Sequence, residues 1–241
     1  MTAIKATALT KKYKSLTAVD NLELEIMEGE LFSLLGTNGA GKTTTIRMLT
    51  CLADPTSGEA TVGGFSVKDE PALVKEIIGI SLQETAVAPN LTARENLELI
   101  AGLYGFSREK QIEKINELAA LFDLGGIMDK AAGKLSGGWQ RRLSIAMALI
   151  SEPKILFLDE PTLGIDVIAR SEIWDIIRSL KGRVTIILTT HYMEEAEALS
   201  DRIGIMNEGK LIALGTASEL MSITGAERFE DAFIGIVRGI K

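Results

Sequence analysis

The stretch Gly36-Thr37-Asn38-Gly39-Ala40-Gly41-Lys42-Thr43 decides the fold of this chain. It fits the pattern G-x-x-x-x-G-K followed by Ser or Thr, in which glycines let the backbone wrap so that several N–H groups point at a phosphate. Lys42 would add a positive charge beside the terminal phosphates, and the Thr43 hydroxyl would bind Mg²⁺. An apolar run at residues 31–35 precedes the stretch, and a predicted helix at 44–51 follows it. The sequence therefore predicts a phosphate-binding loop between a buried strand and a helix.

A second apolar strand is predicted to end in two acids. Residues 155–158 are followed by Asp159 and Glu160. Because neighbouring strand residues point to opposite faces, the two carboxylates should do different jobs. We expect Asp159 to act on Mg²⁺ through a water, and Glu160 to act on the attacking water as general base or positioner. The alternative is a strand that ends in a solvated turn at Pro161, which would be the more ordinary interpretation if no phosphate loop were present.

Strands and helices alternate along the rest of the chain. Such alternation implies a parallel sheet that is covered by helices on both faces. The middle of the chain, from about residue 92 to residue 150, is predicted to be helical and would form a lobe inserted into the sheet. The other predicted strands are 3–9, 21–27, 58–62, 184–188 and 203–206, and the predicted helices include 94–104, 108–122 and 169–180.

Composition limits the classes of function. The chain has 241 residues, with 26 Lys plus Arg against 33 Asp plus Glu, and the net charge of −7 argues against a general nucleic-acid binder. A single cysteine, Cys51, cannot form an internal disulfide, which is typical of a reducing compartment. The single histidine, His191, cannot build a multi-histidine metal site. No uninterrupted apolar run approaches the roughly 18 residues of a membrane span, and the N-terminus lacks the apolar core of a secretory signal.

The stretch Leu135-Ser136-Gly137-Gly138-Trp139-Gln140 begins an apolar helix. Ser136 is placed to cap that helix, and the two glycines leave backbone N–H groups bare. One interpretation is simply a capped helix. The other is a second anion site at a helix N-terminus.

With this stretch the sequence resembles the ATP-binding-cassette (ABC) ATPases, whose signature LSGGQ is matched from Leu135 to Gly138. The departure is Trp139, which stands before Gln140. The resemblance covers essentially the whole chain, and the motifs follow one another in the order of the family. It implies an α/β fold: a P-loop NTPase core of a mostly parallel sheet with flanking helices, an N-terminal antiparallel β part, and an inserted α-helical lobe. The expected organisation is a single domain, 1–241, with the core at about 1–83 and 151–241 and the lobe at about 84–150.

The resemblance also implies roles for residues outside the two glycine-rich stretches. Tyr13 would stack on adenine. Gln83, at the end of the predicted strand 78–83, matches the Q-loop glutamine, which contacts Mg²⁺ and water and acts as a hinge towards the lobe. Asp166 belongs to Gly164-Ile165-Asp166, which matches the D-loop. His191 matches the switch histidine that contacts the γ-phosphate.

The expected ligands are ATP and Mg²⁺. The implied catalytic residues are Glu160, His191 and Gln83, and the implied metal-binding residues are Thr43, Gln83 and Asp159. The implied nucleotide-binding residues are Tyr13, Gly36, Thr37, Asn38, Gly39, Ala40, Gly41, Lys42, Thr43, Thr44, Ser136, Gly137, Gly138 and Asp166.

The resemblance implies a subunit that hydrolyses ATP and powers export through a separate integral membrane permease. It implies a homodimer that sandwiches ATP, a cytoplasmic location on the inner face of the cell membrane, and no nucleic-acid partner. The stretches 55–58, 191–197 and 229–233 resemble bacterial exporter cassettes of the drug-resistance and ABC-2 type. The segment 86–91 is apolar for a loop, and together with the helical lobe it is predicted to face the membrane partner; the alternative is a loop buried on its own lobe.

Three alternatives remain from the sequence. A soluble, non-transport ABC ATPase usually carries a long coiled-coil insertion or two cassettes, and neither is visible here. An importer cassette often carries a further domain after the core. A P-loop kinase or GTPase would predict neither the signature nor the paired acids.

Overall fold

The computed structural model describes residues 1–239 of the chain, so Ile240 and Lys241 of the predicted domain lie outside the described residues. The strands are β1 (Thr2–Tyr13), β2 (Leu16–Met27), β3 (Leu31–Gly36), β4 (Ser57–Val62), β5 (Phe65–Ser66), β6 (Ile78–Ser81), β7 (Ile155–Asp159), β8 (Thr185–Thr190), β9 (Arg202–Asn207) and β10 (Lys210–Gly215). The α-helices are α1 (Lys42–Leu49), α2 (Pro71–Ile77), α3 (Ala93–Leu103), α4 (Arg108–Leu121), α5 (Gly137–Leu149), α6 (Val167–Leu180), α7 (Met193–Leu199), α8 (Ala217–Thr224) and α9 (Phe229–Arg238). Among these residues, no helix combines the length and the apolar character that crossing a membrane requires.

A six-stranded sheet forms the centre of the molecule, in the order β10-β9-β3-β8-β7-β6. All neighbours in it are parallel except β10 and β9. Every residue of β3, β7 and β8 is buried, which explains why these strands are continuous apolar runs and not alternating ones. Leu35 lies opposite Thr190, and Asp159 lies opposite Thr189. The carboxyl ends of three strands therefore meet at one edge of the sheet, where α/β proteins bind ligands.

A four-stranded antiparallel sheet lies over the core, in the order β2-β1-β4-β5. Burial alternates along the second half of β2, as expected for a strand with one face towards the core. One apolar cluster contains Ile4 and Leu24 of this sheet together with Phe32 and Phe157 of the central sheet. The strand β1 ends at Tyr13. The fold class predicted from the sequence is confirmed, although β1 and β2 are longer than predicted because they pair along most of their length.

Helices α3, α4 and α5 lie between β6 and β7 in the chain. Thr92 caps α3 through a capping box with Glu95, and Ser107 caps α4. The apolar cluster of these helices is continuous with the central sheet, since Phe122 of the helical region and Leu156 of β7 belong to the same cluster. The helical region therefore shares a core with the sheet and its orientation depends on that packing.

The segment 86–91 is partly exposed and partly held by its own lobe: Ala86, Pro89 and Asn90 are exposed, whereas Val87, Ala88 and Leu91 are half-buried. Val87 packs against the core shared by the helices and the sheet. Asn96, which is fully buried on α3, accepts a hydrogen bond from the Ala88 N–H at 2.7 Å and donates to the Ala88 carbonyl at 3.2 Å. An internal amide thus fixes the backbone of the loop on its own lobe, and the expectation that this segment faces the membrane partner stays a prediction.

Candidate nucleotide site

A cleft of about 740 Å³ opens at the carboxyl edge of the central sheet, and we call it the nucleotide cleft. It brings together residues that are distant in the chain. Its lining includes eleven residues predicted from the sequence, namely Tyr13, Asn38, Gly39, Ala40, Gly41, Lys42, Thr43, Thr44, Gln83, Glu160 and His191. It also includes residues that the sequence analysis did not single out, namely Leu16, Thr17, Ala18, Leu163, Glu208 and Gly209.

The phosphate-binding loop needs its glycines for space and for backbone conformation. Gly41 has φ +106°, and a Cβ there would lie 2.5 Å from the carbonyl oxygen of Ala18. A Cβ on Gly36 would lie 2.5 Å from the carbonyl oxygen of Met206. No side chain caps α1, which begins at Lys42, two residues earlier than predicted. The N–H groups of its first turn are therefore left for a phosphate.

Lys42 is 4% exposed and its ammonium group is held in three ways. Nζ donates to the carbonyls of Gly36 at 2.8 Å and Thr37 at 3.2 Å, and it lies 3.4 Å from Glu160 Oε1. Gly36 and Thr37, both predicted to touch nucleotide, therefore contact the lysine and are not part of the cleft lining. The loop thus presents one buried positive charge with a carboxylate beside it.

Asp159 and Glu160 make different contacts because the backbone turns between them. Asp159 accepts a hydrogen bond from Thr43 Oγ1 at 3.2 Å and another from the hydroxyl of Thr189. Glu160 instead reaches the cleft, where its Oε2 lies 3.0 Å from Nδ1 of His191. Its φ is +48°, a left-handed conformation that is uncommon for a residue with a side chain.

Thr189 is a residue of this site that sequence reasoning missed. Its hydroxyl donates to Asp159 and accepts from the Glu160 N–H at 3.1 Å, and its carbonyl accepts from the same N–H at 3.1 Å. It therefore holds both acids at the end of β7 from the neighbouring strand. The only signal in the sequence was a pair of threonines at the end of an otherwise apolar run.

Tyr13 is half-exposed at the mouth of the cleft. Lys11 Nζ lies 5.0 Å from the centroid of its ring, which is within cation–π range. Gln83 follows β6 and also lines the cleft. Their predicted contacts with adenine and with metal and water stay predictions.

Residues 136–138, which we call the signature segment, do not line the cleft of their own chain. Ser136 is the N-cap residue of α5 but its side chain makes no capping hydrogen bond. A Cβ on Gly137 would meet nothing within 4 Å, whereas a Cβ on Gly138 would lie 2.9 Å from the side chain of Ala169. Gly138 is therefore required for packing, and the uncapped start of α5 at Gly137 is open.

Two neighbours of the signature segment have structural contacts. Gln140 Nε2 donates to the carbonyls of Ala132 at 3.1 Å and Leu135 at 3.2 Å. The guanidinium of Arg142 stacks on Trp139 at 4.6 Å from the ring centroid. Gln140 thus fixes the turn before α5, and Trp139 is accommodated by stacking.

Asp166 is likewise outside the cleft lining. Its carboxylate caps α6 by accepting hydrogen bonds from the N–H groups of Ile168 and Ala169, both at 3.0 Å. Val167 and Ile168, which follow it, are 76% and 74% exposed. The predicted nucleotide contact of Asp166 would have to involve a nucleotide held by another chain.

Glu195 on α7 is a second residue that the sequence analysis missed. It is fully buried, and its Oε1 accepts hydrogen bonds from Thr162 Oγ1 at 2.7 Å and Trp174 Nε1 at 2.9 Å. Burial raises the pKa of this carboxyl, while hydrogen bonds and the charge of Arg170 act in the opposite direction. Glu195 thus joins the segment after Glu160 to helices α6 and α7.

Comparisons with known proteins agree with this geometry. The model of the ABC transporter family matches residues 19–163. Daunorubicin resistance ATP-binding protein DrrA3 of Streptomyces coeruleorubidus is 42% identical, over 95% of this chain and 73% of its own length.

Two solved structures share the fold. One, described as the ATP binding subunit of an ABC transporter, matches with a TM-score of 0.87 at 25% identity, over 97% of this chain and 99% of its own. The ATP-binding cassette MJ0796, a dimer in a post-hydrolysis state bound to ADP and Pi, matches with a TM-score of 0.80 at 29% identity, over 88% of this chain and 98% of its own. The sequence comparisons and the structure comparisons give the same family, and we conclude that the chain belongs to the ABC transporter family, as a subunit that binds and hydrolyses ATP.

Proposed function

We propose that the chain powers export through a separate membrane subunit, and that two copies of it close on ATP and Mg²⁺. One observation carries the proposal. The nucleotide cleft holds the lysine, the general base and the histidine of one chain, whereas the signature segment of that chain lies outside it. Each chain thus offers two halves of a site that do not meet within it.

The cleft suits a nucleoside triphosphate with Mg²⁺. Lys42 and the N–H groups of the loop match phosphate oxygens in charge and in hydrogen bonding. Thr43 and Asp159 supply a hydroxyl and a buried carboxylate 3.2 Å apart, and Gln83 supplies an amide oxygen nearby. These are hard oxygen ligands, which together with phosphate oxygens and water are what Mg²⁺ prefers. When bound, Mg²⁺ would neutralise charge on the β- and γ-phosphates.

Glu160 and His191 would carry the hydrolytic step. Glu160 takes a proton from the attacking water as the oxygen adds to the γ-phosphorus and ADP leaves. His191 lies 3.0 Å from Glu160 and also faces the cleft, so a ring N–H can donate either to the carboxylate or to a γ-phosphate oxygen and hold it in line for attack. Neither residue can do this unless the γ-phosphate occupies the position beside Lys42.

A second copy would complete the site. Helix α5 begins at Gly137 with no capping hydrogen bond from the Ser136 side chain, so its first N–H groups suit a phosphate held by the other chain. Val167 and Ile168 are exposed and directly precede Ala169, whose side chain packs against Gly138, so they would be covered in such a dimer. The expected homodimer therefore places two ATP molecules between two identical faces.

The membrane subunit would dock on an apolar groove of about 440 Å³ between the sheet and the helical lobe. Leu52, Ile100, Leu103, Tyr104 and Met147 line it, and Leu103 is 75% exposed. We place the partner, an amphipathic helix of the permease at the inner face of the cell membrane, in this groove, which Ala86 at the start of the segment 86–91 also lines. Such a helix buries its apolar face in a groove of this kind.

Export is the direction supported by the resistance function in the name of the Streptomyces relative. The test uses inverted membrane vesicles that contain this chain and the membrane protein with which it copurifies. ATP should drive uptake of an amphipathic drug such as daunorubicin into these vesicles, and the Glu160→Gln variant should not. Uptake that occurs only in right-side-out vesicles loaded with ATP would identify an importer and overturn the proposal.

A further inference from the structure

Arg141 is a buried cation whose partners are all backbone carbonyls. It lies on α5 and is 4% exposed. One guanidinium nitrogen donates to the Leu82 carbonyl at 2.6 Å, and the other donates to the Gln83 carbonyl at 2.5 Å. These two carbonyls directly follow β6, and the second belongs to the glutamine that lines the nucleotide cleft.

Burying the Arg141 guanidinium in this way lowers the stability of the fold. Among residues 1–239, no carboxylate lies within 4.0 Å of the Arg141 guanidinium. Burial lowers the pKa of Arg141, and the charge of Asp159 only partly offsets this. A buried charge without an opposite partner costs stability that an apolar side chain of similar size would not cost. Packing alone therefore does not account for an arginine here.

The position of Arg141 on its helix is informative. Three residues further along α5, Ser144 shares a hydrogen bond of 3.0 Å with Ser81 of β6, and both hydroxyls are buried. These two residues lie on the same face of α5, since three positions make nearly one turn. Ser144 joins α5 to β6, and Arg141 joins α5 to the two residues that follow the strand. The signature segment begins the same helix, about one turn earlier.

We propose that Arg141 is a positioning residue that holds Gln83 in a fixed relation to the signature segment. The planar fork of its guanidinium binds two successive carbonyls, which sets the direction of the backbone that carries the Gln83 side chain. A lysine ammonium, as a point charge on a flexible stem, would not set that direction. The position of Gln83 in the cleft is thereby tied to that of the signature segment at the start of the same helix.

This inference rests on the proposed role of Gln83 in hydrolysis, and a double-mutant cycle tests the two separately. The cycle compares wild type, Gln83→Ala, Arg141→Met and the double variant, with ATP affinity, kcat and thermal unfolding measured for each. Arg141→Met should lower kcat about tenfold or more and leave ATP affinity within about threefold, since Arg141 does not touch the phosphate loop. The kcat of the double variant should lie within about twofold of the kcat of Gln83→Ala, because the residue through which Arg141 acts is then gone.

Two further variants keep the test decisive. Arg141→Lys retains the charge, so it should unfold near wild type and still lose kcat. Ser144→Ala removes the neighbouring bridge without touching Gln83 and should keep kcat within about twofold. If the fold-losses in kcat of the two single variants multiply in the double variant, or if both Arg141 variants keep wild-type kcat, the role of Arg141 is overturned and that of Gln83 is not. Wild-type kcat in Gln83→Ala would overturn the role of Gln83 and the inference with it.

Discussion

Replacing Glu160 by glutamine should tighten ATP binding as well as stop hydrolysis. Glu160 Oε1 lies 3.4 Å from Lys42 Nζ, and at an effective dielectric constant of about 20 the attraction between the two charges is about 5 kcal/mol. The γ-phosphate must take the place of this carboxylate beside the lysine and then lie next to it. Glutamine has nearly the same shape but no charge, so neither the competition nor the repulsion remains.

The net change is smaller than the gross attraction, because the displaced carboxylate still contacts His191 and regains water. A net gain of about 1.4 kcal/mol corresponds to tenfold tighter binding. We therefore expect the variant to bind a non-hydrolysable ATP analogue about 3- to 30-fold more tightly than wild type by calorimetric titration. Its kcat should fall at least about 100-fold, since the base is lost.

ADP is the matched control, because it lacks the γ-phosphate that competes with Glu160. Its affinity should change by less than about twofold in the variant. If the analogue bound no more tightly, or if ADP gained as much as the analogue, then Glu160 would not be the group that the γ-phosphate displaces.

His191→Ala should keep ATP affinity within about threefold, because the loop supplies most phosphate contacts, and should lose most single-turnover hydrolysis; wild-type hydrolysis would leave it a surface histidine. Leu103→Glu should weaken capture of the membrane subunit at least about tenfold while ATPase activity and thermal unfolding stay near wild type. Ile112→Glu, equally a surface change on the lobe, should leave capture, ATPase activity and thermal unfolding near wild type. Burial raises the pKa of Glu195 above its ordinary value of 4.5, so the folded chain holds this proton more tightly than the unfolded one and loses stability as the pH rises from 4.5 to the raised pKa. Glu195→Gln removes that dependence, so its melting temperature relative to wild type should climb over this interval in a pH series, and a constant difference would show that Glu195 does not titrate differently on folding.

Local chemistry explains what could be predicted from the sequence. Within the stretch 36–43 the glycines and the pair Lys42-Thr43 stand at a fixed spacing, so the pattern alone predicts the loop. Buried parallel strands leave continuous apolar runs, which placed Asp159 and His191 at the same edge of the sheet.

What the sequence could not predict depends on contacts between distant positions. Thr189 meets Asp159 across 30 positions, and Arg141 meets Leu82 across 59. The spacing of apolar residues that indicates helices and strands does not indicate such pairs. The hydrogen bonds by which Asn96 fixes the backbone at Ala88 could not be predicted either, because in the sequence Asn96 resembles an ordinary polar residue.

The central claim is that one chain holds half of each catalytic site and a second copy supplies the signature segment. It is tested most directly by measuring the mass of the Glu160→Gln variant in solution with ATP and with ADP, alone and combined with Ser136→Arg. The account predicts twice the chain mass with ATP, the chain mass with ADP, and the chain mass with both nucleotides when Ser136 is replaced, although that variant still binds ATP. A single-chain mass for Glu160→Gln with saturating ATP at high protein concentration, or a dimer that Ser136→Arg leaves intact, would contradict it.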